Sequence, residues 1–270
     1  MIGSNSTWLN YDIRTYLRFL AIIVCYFCLI PISFTTQATT IHVVTENLEP
    51  YQFKRQDGTI DGFSTEVIQA LFAITGDTAD IEMMAWARAY DLARNKKNTL
   101  IYSIYRTPYR EPLFHWVGPL VGDRVYFWGL KAKFPQQINS ISQLKIYSAA
   151  ASRESNAEQY LTAERFPKIY KVVDDKQPIK MLFKDRVDLL INTELILQQH
   201  AKDLNLNIQG FKKLIEIPEL RADLSIAFSH NTDPEIISRF QQAHQQLVRS
   251  GKLAQIRKKW HINPSGNNAY

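Results

Sequence analysis

After residue 39, the apolar positions follow two patterns: short continuous runs and the spacing of one helix face. Apolar runs long enough for one strand each lie at 41–45, 81–84 and 100–105. Between the first two, apolar residues recur at the spacing of one helix face, at Val67, Leu71 and Ile74. Ser64 is a candidate N-cap for this helix and Gly76 a candidate stop, and 87–97 predicts a second helix. The order βαβαβ predicts an α/β domain with a mostly parallel sheet.

A second series of the same kind follows a strand-like, aromatic segment at 124–130. Its predicted strands lie at 145–149, 169–173, 188–192 and 211–217. Ser155 and Glu158 have the spacing of a capping box before its first helix. The closing elements are a strand and a long helix, at 224–228 and 233–251. The predicted fold class is therefore α/β with two lobes, and the cleft between lobes is where we expect a small ligand.

The N-terminal segment has the layout of an export signal. Arg14 and Arg18 precede an apolar run at 19–34, and a small-x-small cleavage site ends at Ala38. The run is shorter than the roughly 20 residues that a membrane span needs. We therefore expect 1–38 to be a signal peptide that is removed on export to a bacterial periplasm. An uncleaved membrane anchor is the alternative.

Cysteine usage and charge narrow the classes of function. Both cysteines, Cys25 and Cys28, lie in the predicted signal, so the exported chain has no disulfide, thiol nucleophile or thiolate metal site. The net charge of +6 is spread along the chain, without the basic and aromatic stripe typical of nucleic-acid binding. The six histidines lack metal-ligand spacing, and no phosphate loop or dinucleotide fingerprint is present. We expect no cofactor, no metal and no nucleic-acid partner.

The candidate chemistry is concentrated directly after the predicted strand at 100–105. Arg106, Thr107 and Arg110 follow this strand on a turn that contains Pro108. A guanidinium is a planar fork that pairs with a carboxylate through two bonds. Held at a strand end, such a fork suggests a receptor for a small anionic group. The alternative is an exposed loop in which the arginines pair with local acids such as Glu111.

Five short motifs then occur in order along the chain. They lie at 49–53 with 57–58 and 62–63, at 103 with 107–110, at 187–190, at 226–228 with 233–234, and at 251–253 with 259–260. Together they make the chain similar to the bacterial family 3 periplasmic solute-binding proteins, a group that includes receptors for polar amino acids. The match is one of pattern, and it covers nearly the whole mature chain.

The resemblance implies two lobes that are joined by two crossover strands and close on a ligand like a hinge. Lobe one would comprise 39–127 and 222–262, and lobe two 128–221. The outgoing crossover would be 124–130 and the return would lie near 218–223. The polar residues at 263–270 would form a disordered tail.

Four residues of the strand-end run take roles from the resemblance. Arg110 matches the arginine that binds the carboxylate of the ligand through two bonds. Ser103 and Thr107 match hydroxyl or backbone donors around that carboxylate, or else serve only the turn. Arg106 is not usual in the family at its position, and it would bind a second acidic group or form a surface ion pair.

The remaining candidates lie on other elements. Tyr51 matches an aromatic residue that stacks on the ligand, with core packing as the alternative. Trp86 and Arg88 follow the second strand and are candidate ligand contacts. Ser152 precedes a helix in lobe two, where free N–H groups favour an anion; an ordinary capping loop is the alternative.

The chain departs from the resemblance at Thr193. Receptors for α-amino acids carry an acidic residue there, after the second-lobe strand, to hold the ammonium of the ligand. Glu194 could replace it only if the register shifted by one residue. The departure favours either a ligand without an ammonium group or a sensor role.

The function expected is capture of a small carboxylate-bearing, amino-acid-like solute for an ABC-type importer. The protein would be a monomer, not an enzyme, and its partner an inner-membrane permease or sensor. One alternative is a membrane-tethered or periplasmic sensor module that signals through a partner. The other is a cleft enzyme of the dehydratase type, with Glu46, Glu66 or Glu194 as general acid.

Overall fold

The computed structural model describes residues 38–220 and 223–262. They form two five-stranded sheets with helices on their faces, so the α/β prediction is confirmed. A short hairpin of β2 (Phe53–Lys54) and β3 (Ile60–Asp61) follows the first strand in the sequence and forms a separate two-stranded sheet. The helices are α1 (Phe63–Thr75), α2 (Trp86–Asn95), α3 (Asn156–Ala163), α4 (Gln177–Phe183), α5 (Glu194–Asp203), α6 (Pro234–Arg249) and α7 (Lys252–Lys259).

The first sheet has the order β4-β1-β5-β12-β6. Its strands are β1 (Thr40–Thr45), β4 (Thr78–Met83), β5 (Thr99–Tyr105), β6 (Phe114–Gly122) and β12 (Asp223–Ser229). The three strands β4, β1 and β5 are parallel, whereas β12 is antiparallel to both of its neighbours. Successive residues of β1 bury on opposite faces: Val43 packs with α1, α6 and α7, and Val44 packs with α2. Helices therefore cover both faces.

The second sheet repeats this plan with the order β11-β7-β10-β8-β9. Its strands are β7 (Val125–Leu130), β8 (Ala149–Ser152), β9 (Ile169–Val172), β10 (Leu189–Thr193) and β11 (Phe211–Glu216). Strands β9, β8 and β10 are parallel, and β7 is antiparallel to both β10 and β11. Two apolar clusters lie on its two faces, one around Phe127 and one around Trp128.

The chain passes from the first sheet to the second between β6 and β7, and it returns between β11 and β12. Val125–Leu130 belongs entirely to the second sheet, although the lobe boundary predicted from the sequence lies within it, after residue 127. Each sheet is mixed, because one strand, β12 in the first sheet and β7 in the second, runs against the other four. The parallel order predicted for the βαβ strands holds for β4, β1 and β5.

Two further predicted elements are corrected. Helix α1 begins at Phe63 with Gly62 as its N-cap, so Ser64 is a buried helical residue and not the cap. The strand predicted at 145–149 is instead Ala149–Ser152, because 141–144 forms a 3-10 turn that delays it. Strand β6 was not predicted, since Gly118 and Pro119 interrupt its apolar pattern, and its pairing with β12 shifts register on either side of them, at Val117 and Leu120.

Residues 1–37 of the signal peptide predicted at 1–38, the predicted tail at 263–270 and part of the return crossover, 221–222, lie outside the described residues. Within the described ranges, none of the helices has the length and apolar character needed to cross a bilayer. The same ranges contain no group of three or more histidine, aspartate, glutamate or cysteine side chains arranged to hold a metal ion.

Candidate functional site

The carboxyl ends of the parallel strands in the two sheets face each other. Strand β5 contributes Arg110 through the turn that follows it, and β1 contributes Glu46. From the other sheet, β8 contributes Ser152 and the segment after β9 contributes Asp175. Together they line a cavity of about 100 Å³. Strand ends of this kind are where open α/β sheets bind small ligands.

Arg110 is the largest fully buried side chain of the described chain, with 1% of its surface exposed. The turn after β5 places it, because the Arg110 amide donates to the Thr107 carbonyl at 2.9 Å. Its guanidinium carbon lies 5.0 Å from the ring centres of both Trp86 and Tyr90. The two rings provide cation–π stabilisation that is stronger out of water. Burial lowers the pKa of Arg110, yet an arginine stays charged at neutral pH.

Among the described residues, the hydrogen-bond acceptors of the guanidinium are neutral. Nη1 donates to the Tyr105 carbonyl at 3.4 Å and Nη2 to the Glu154 carbonyl at 2.9 Å. Nε has no hydrogen-bond partner among the residues that the structure describes. A buried cation normally needs an anionic partner. The site can therefore accept a carboxylate or a similar anion.

The carbonyl of Glu154 joins the two sheets across the cavity. It accepts from Arg110 Nη2 and, at 2.8 Å, from Trp86 Nε1, both of the first sheet. Glu154 has φ 59°, and its own amide donates to Glu158 Oε2 at 2.6 Å. Ser155 caps α3 by accepting from the Glu158 amide, so the predicted capping spacing is present. We call this carbonyl with its two first-sheet donors the latch.

Ser103 and Thr107 both precede Arg110 in the chain, and their side chains lie in different environments. Ser103 lines the cavity at a positive φ of 58°, and its hydroxyl lies 2.6 Å from Gln52 Oε1 and 2.9 Å from Ser64 Oγ. The hydroxyl is thus engaged with the first lobe. Thr107 is buried, and its Oγ1 lies 3.4 Å from the Arg110 amide, within the turn.

The two aromatic candidates lie in different environments. Trp86 lines the cavity and forms half of the stack on Arg110. Tyr51 is 1% exposed and packs edge-on against Phe63 in the core behind the cavity, away from its lining. Arg88 is exposed on α2 and does not line the cavity.

Three further candidates are also placed. Arg106 is exposed and pairs with Glu111 through two bonds of 2.8 and 2.6 Å, which matches the surface-ion-pair alternative. Ser152 lines the cavity at the end of β8. Thr193 is 1% exposed and caps α5 by accepting from the Ile196 amide.

Acidic residues of the cleft were only partly anticipated. Of the three candidate acids, only Glu46 lines the cavity; Glu66 binds Lys259 and Trp260, and Glu194 binds Lys213. Burial, with the nearby charge of Asp175, raises the pKa of Glu46 to about 8, although Arg110 opposes the shift.

Asp175 and His200 were missed by sequence reasoning. Burial, followed by a hydrogen bond with Asp174, raises the pKa of Asp175 to about 6. His200, on α5, is 2% exposed, and its Nε2 lies 3.4 Å from Asp175 Oδ2. Burial, then the charge of Lys176, lowers the pKa of His200 to about 4, so the ring is neutral at pH 7. The available sequence signal was the Asp174–Asp175 pair that follows a strand and precedes a helix.

The cavity adjoins a wider, more open groove of about 530 Å³. Glu46, Trp86 and Asp175 line both spaces, and Met83, Met84 and Asp174 line the groove alone. The two spaces together form a site with a buried guanidinium at one end and carboxyl groups along its exit.

Comparison with known proteins places this architecture in a family. Residues 41–263 match the family model described as bacterial extracellular solute-binding proteins, family 3. The chain belongs to this family. The resemblance drawn from the five motifs is therefore confirmed, and the family is one of solute-binding proteins that work outside the cytoplasm.

Individual family members are similar to the chain at low identity. The arginine-binding extracellular protein ArtP of Bacillus subtilis (strain 168) is 24% identical over 221 residues, which cover 78% of this chain and 82% of ArtP. An ancestral arginine-binding protein bound to arginine has a TM-score of 0.69 at 19% identity, covering 82% of this chain and 97% of that one.

A structure from a signalling protein is equally similar. The sensor domain of a histidine kinase with similarity to periplasmic binding proteins has a TM-score of 0.71 at 16% identity. The match covers 82% of this chain and 95% of that domain. At this identity the likeness shows the two-lobed fold alone. Both importer receptors and sensors are thus built on it.

Proposed function

We propose that this family 3 protein captures a small carboxylate-bearing, amino-acid-like solute between its lobes and presents the closed form to an ABC-type importer. Export to the periplasm belongs to the same proposal. The observation that carries it is Arg110: a fully buried guanidinium at the cavity wall, with only neutral acceptors and an unused Nε–H.

Binding would exploit the difference between neutral and charged acceptors. An incoming carboxylate meets the free Nε–H and can replace the Glu154 carbonyl at Nη2, because charge-assisted bonds are roughly twice as strong as neutral ones. The rings of Trp86 and Tyr90 keep the guanidinium plane fixed, so little side-chain entropy is lost on binding. Ser103 of the first lobe and Ser152 of the second are two of the polar residues that would complete the lining.

A thermal-shift and calorimetry screen against amino acids and small organic acids tests the proposal. A ligand at about 100 times its dissociation constant adds roughly 2.7 kcal/mol to the free energy of unfolding. We expect Arg110→Ala to abolish measurable binding. Arg106→Ala is the matched control, since it removes the same group four residues away at the surface. Binding that survives Arg110→Ala, or a panel in which no compound binds folded protein, would refute the proposal.

A sensor role is the second candidate, and the likeness to a histidine-kinase sensor domain supports it. The two roles differ in the fate of the apolar run at 19–34, which an importer receptor would lose and a tethered sensor would retain. Mass spectrometry of protein from fractionated cells separates them. An N-terminus at residue 39 in the soluble fraction supports the importer role, and an intact 19–34 in the membrane fraction supports the sensor.

A further inference from the structure

The second lobe presents an acid to the cavity from an unexpected element. The position after β10 that would hold an ammonium is occupied by Thr193, whose hydroxyl is used to cap α5. Asp175 instead reaches the cavity from the segment between β9 and α4. Its side chain is 29% exposed, and Oδ2 is buried without a hydrogen bond from the described part of the chain. A carboxylate oxygen in that state lacks a donor.

The nearest groups do not neutralise Asp175. Lys176 is held at 2.6 Å by Asp203, and Lys180 lies 3.7 Å from Asp174. His200 lies 3.4 Å from Asp175 Oδ2, but the geometry is not that of a hydrogen bond, and the ring is neutral at pH 7. The carboxylate is therefore available to a cation from outside the chain.

His200 provides the independent indication of a ligand. It is 2% exposed and lines the cavity, yet neither ring nitrogen has a hydrogen-bond partner in 38–220 or 223–262. An unsatisfied buried polar group costs about 1–3 kcal/mol. A ligand donor that bridged Asp175 and His200 would satisfy both side chains at once.

The charge of the whole cavity specifies what the ligand must carry. Its wall holds one cation, Arg110, and two carboxyl groups, Glu46 from the first lobe and Asp175 from the second. A ligand carboxylate pairs with Arg110, and Glu46 holds its proton at neutral pH because burial raises its pKa to about 8, so Asp175 is the acid left without a counter-charge. Closure around a ligand without positive charge would bury the Asp175 carboxylate unpaired, whereas a cationic group of the ligand would pair with it.

We propose that Asp175, with His200 behind it, is the second-lobe receptor for a positively charged group of the ligand, and that the ligand is a carboxylate bearing at least one ammonium or guanidinium group. This inference rests on the proposed function, since it takes Arg110 as the carboxylate anchor. Asp175 takes over from a different element the role that Thr193 cannot perform.

The test compares probes that differ only in positive charge. L-lysine, 6-aminohexanoate, which lacks the α-ammonium, and hexanoate, which lacks both ammonium groups, are titrated into the purified protein by calorimetry. We expect hexanoate to bind at least about tenfold more weakly than the tighter of the two amines. Asp175→Asn should remove at least about tenfold of the affinity for that amine and leave hexanoate binding within about twofold.

Asp185→Asn is the matched control, because it makes the same change on a 61% exposed side chain of the second lobe that lines neither the cavity nor the groove. It should change affinity less than about twofold. His200→Gln should weaken amine binding and leave hexanoate binding unchanged, which distinguishes a binding role from a packing role.

The outcomes separate the two proposals. If hexanoate and the amines bind equally, or Asp175→Asn binds the amine as the wild type does, while Arg110→Ala still abolishes binding, the cation site is wrong and the proposed function stands. If Arg110→Ala leaves binding intact, the carboxylate anchor is wrong. If none of the three probes binds folded protein, the inference is overturned.

Discussion

Arg106 and Arg110 are four residues apart on one turn, and they occupy opposite environments. Arg106 is exposed, stacks on Trp116 at 5.3 Å and has its charge satisfied by Glu111. Arg110 is buried, stacks on Trp86 at 5.0 Å, and donates to main-chain carbonyls and to no acid in the part of the chain that the structure describes. Both therefore have an aromatic ring beneath the guanidinium, and they differ in whether an acid of the chain pairs with it. Burial without such an acid is what distinguishes an anchor from a surface ion pair.

The largest difference between the two arginines is expected when each guanidinium is replaced by an ammonium, which keeps the positive charge but loses the planar, two-bond geometry. We expect Arg110→Lys to weaken binding of the identified solute by about 10- to 100-fold, since an ammonium cannot make two parallel bonds to a carboxylate. Arg106→Lys should leave affinity within about twofold, because a surface ion pair contributes little. Calorimetry measures both. Equal losses in the two variants would mean that the turn, and not the buried guanidinium, sets the affinity.

A smaller effect is expected from the ring beneath each arginine. Trp86→Phe keeps a stacking face and removes the Nε1–H bond to the Glu154 carbonyl, so the closed form should lose about 0.5–1.5 kcal/mol. Small-angle scattering without ligand should then show a larger radius of gyration, and affinity should fall roughly 2- to 10-fold as the closed fraction falls.

Trp116→Phe is its control, because Trp116 Nε1 donates at 3.3 Å to the Glu111 carbonyl within the same lobe. It should leave the scattering curve unchanged. A Trp86→Phe protein with the dimensions of the wild type would show that the latch does not hold the lobes together.

The smallest expected effect is in the pH dependence of stability, which should differ between the buried acid Glu46 and the exposed acid Glu111. The pKa of Glu46 is raised to about 8, so the folded state binds its proton more tightly than the unfolded state, and unfolding free energy falls as pH rises from about 4.5 to 8. Glu46→Gln should therefore raise the melting midpoint at pH 8 by at least about 2–4 °C and hardly change it at pH 4.

Glu111→Gln should show the opposite and weaker trend. The hydrogen bond from Arg106 lowers the pKa of Glu111, so its contribution to stability is present above the unfolded pKa and is lost as pH falls through the folded one. Half of its side chain is exposed, so the loss should be small. A pH-independent difference between Glu46→Gln and the wild type would contradict the buried-acid assignment.

The sequence predicted elements better than it predicted contacts. Local patterns identified β1, β5 and the capped helix after Ser155, because periodicity and caps are encoded within a few residues. Strand β6 was not predicted because its apolar pattern is interrupted and because it pairs with β12, which is distant in the sequence. The boundaries at Ser64 and 145–149 were misplaced because Gly62 is the N-cap of the helix and a capped 3-10 turn at 141–144 precedes the strand.

The candidate site shows the same division. Arg110 and Trp86 were predicted from motif and resemblance, and both line the cavity. Tyr51 sits in the core because the fold turns its ring towards Phe63, a contact that a motif match does not encode. Asp175 and His200 were missed since they are 25 positions apart and meet only through the packing of α4 against α5. The Glu154 carbonyl has no side-chain signature at all.

A main-chain acceptor constrains how the latch can evolve. Because the acceptor of the latch is a main-chain oxygen, drift at position 154 cannot delete it by changing a side chain, provided the new residue tolerates a φ of 59°. Asn, Asp and Gly meet that condition readily, whereas β-branched residues do not. Heritable tuning of the latch must therefore fall on its donors, and natural variation in the contact between the lobes should accumulate at position 86, since position 110 also holds the ligand carboxylate.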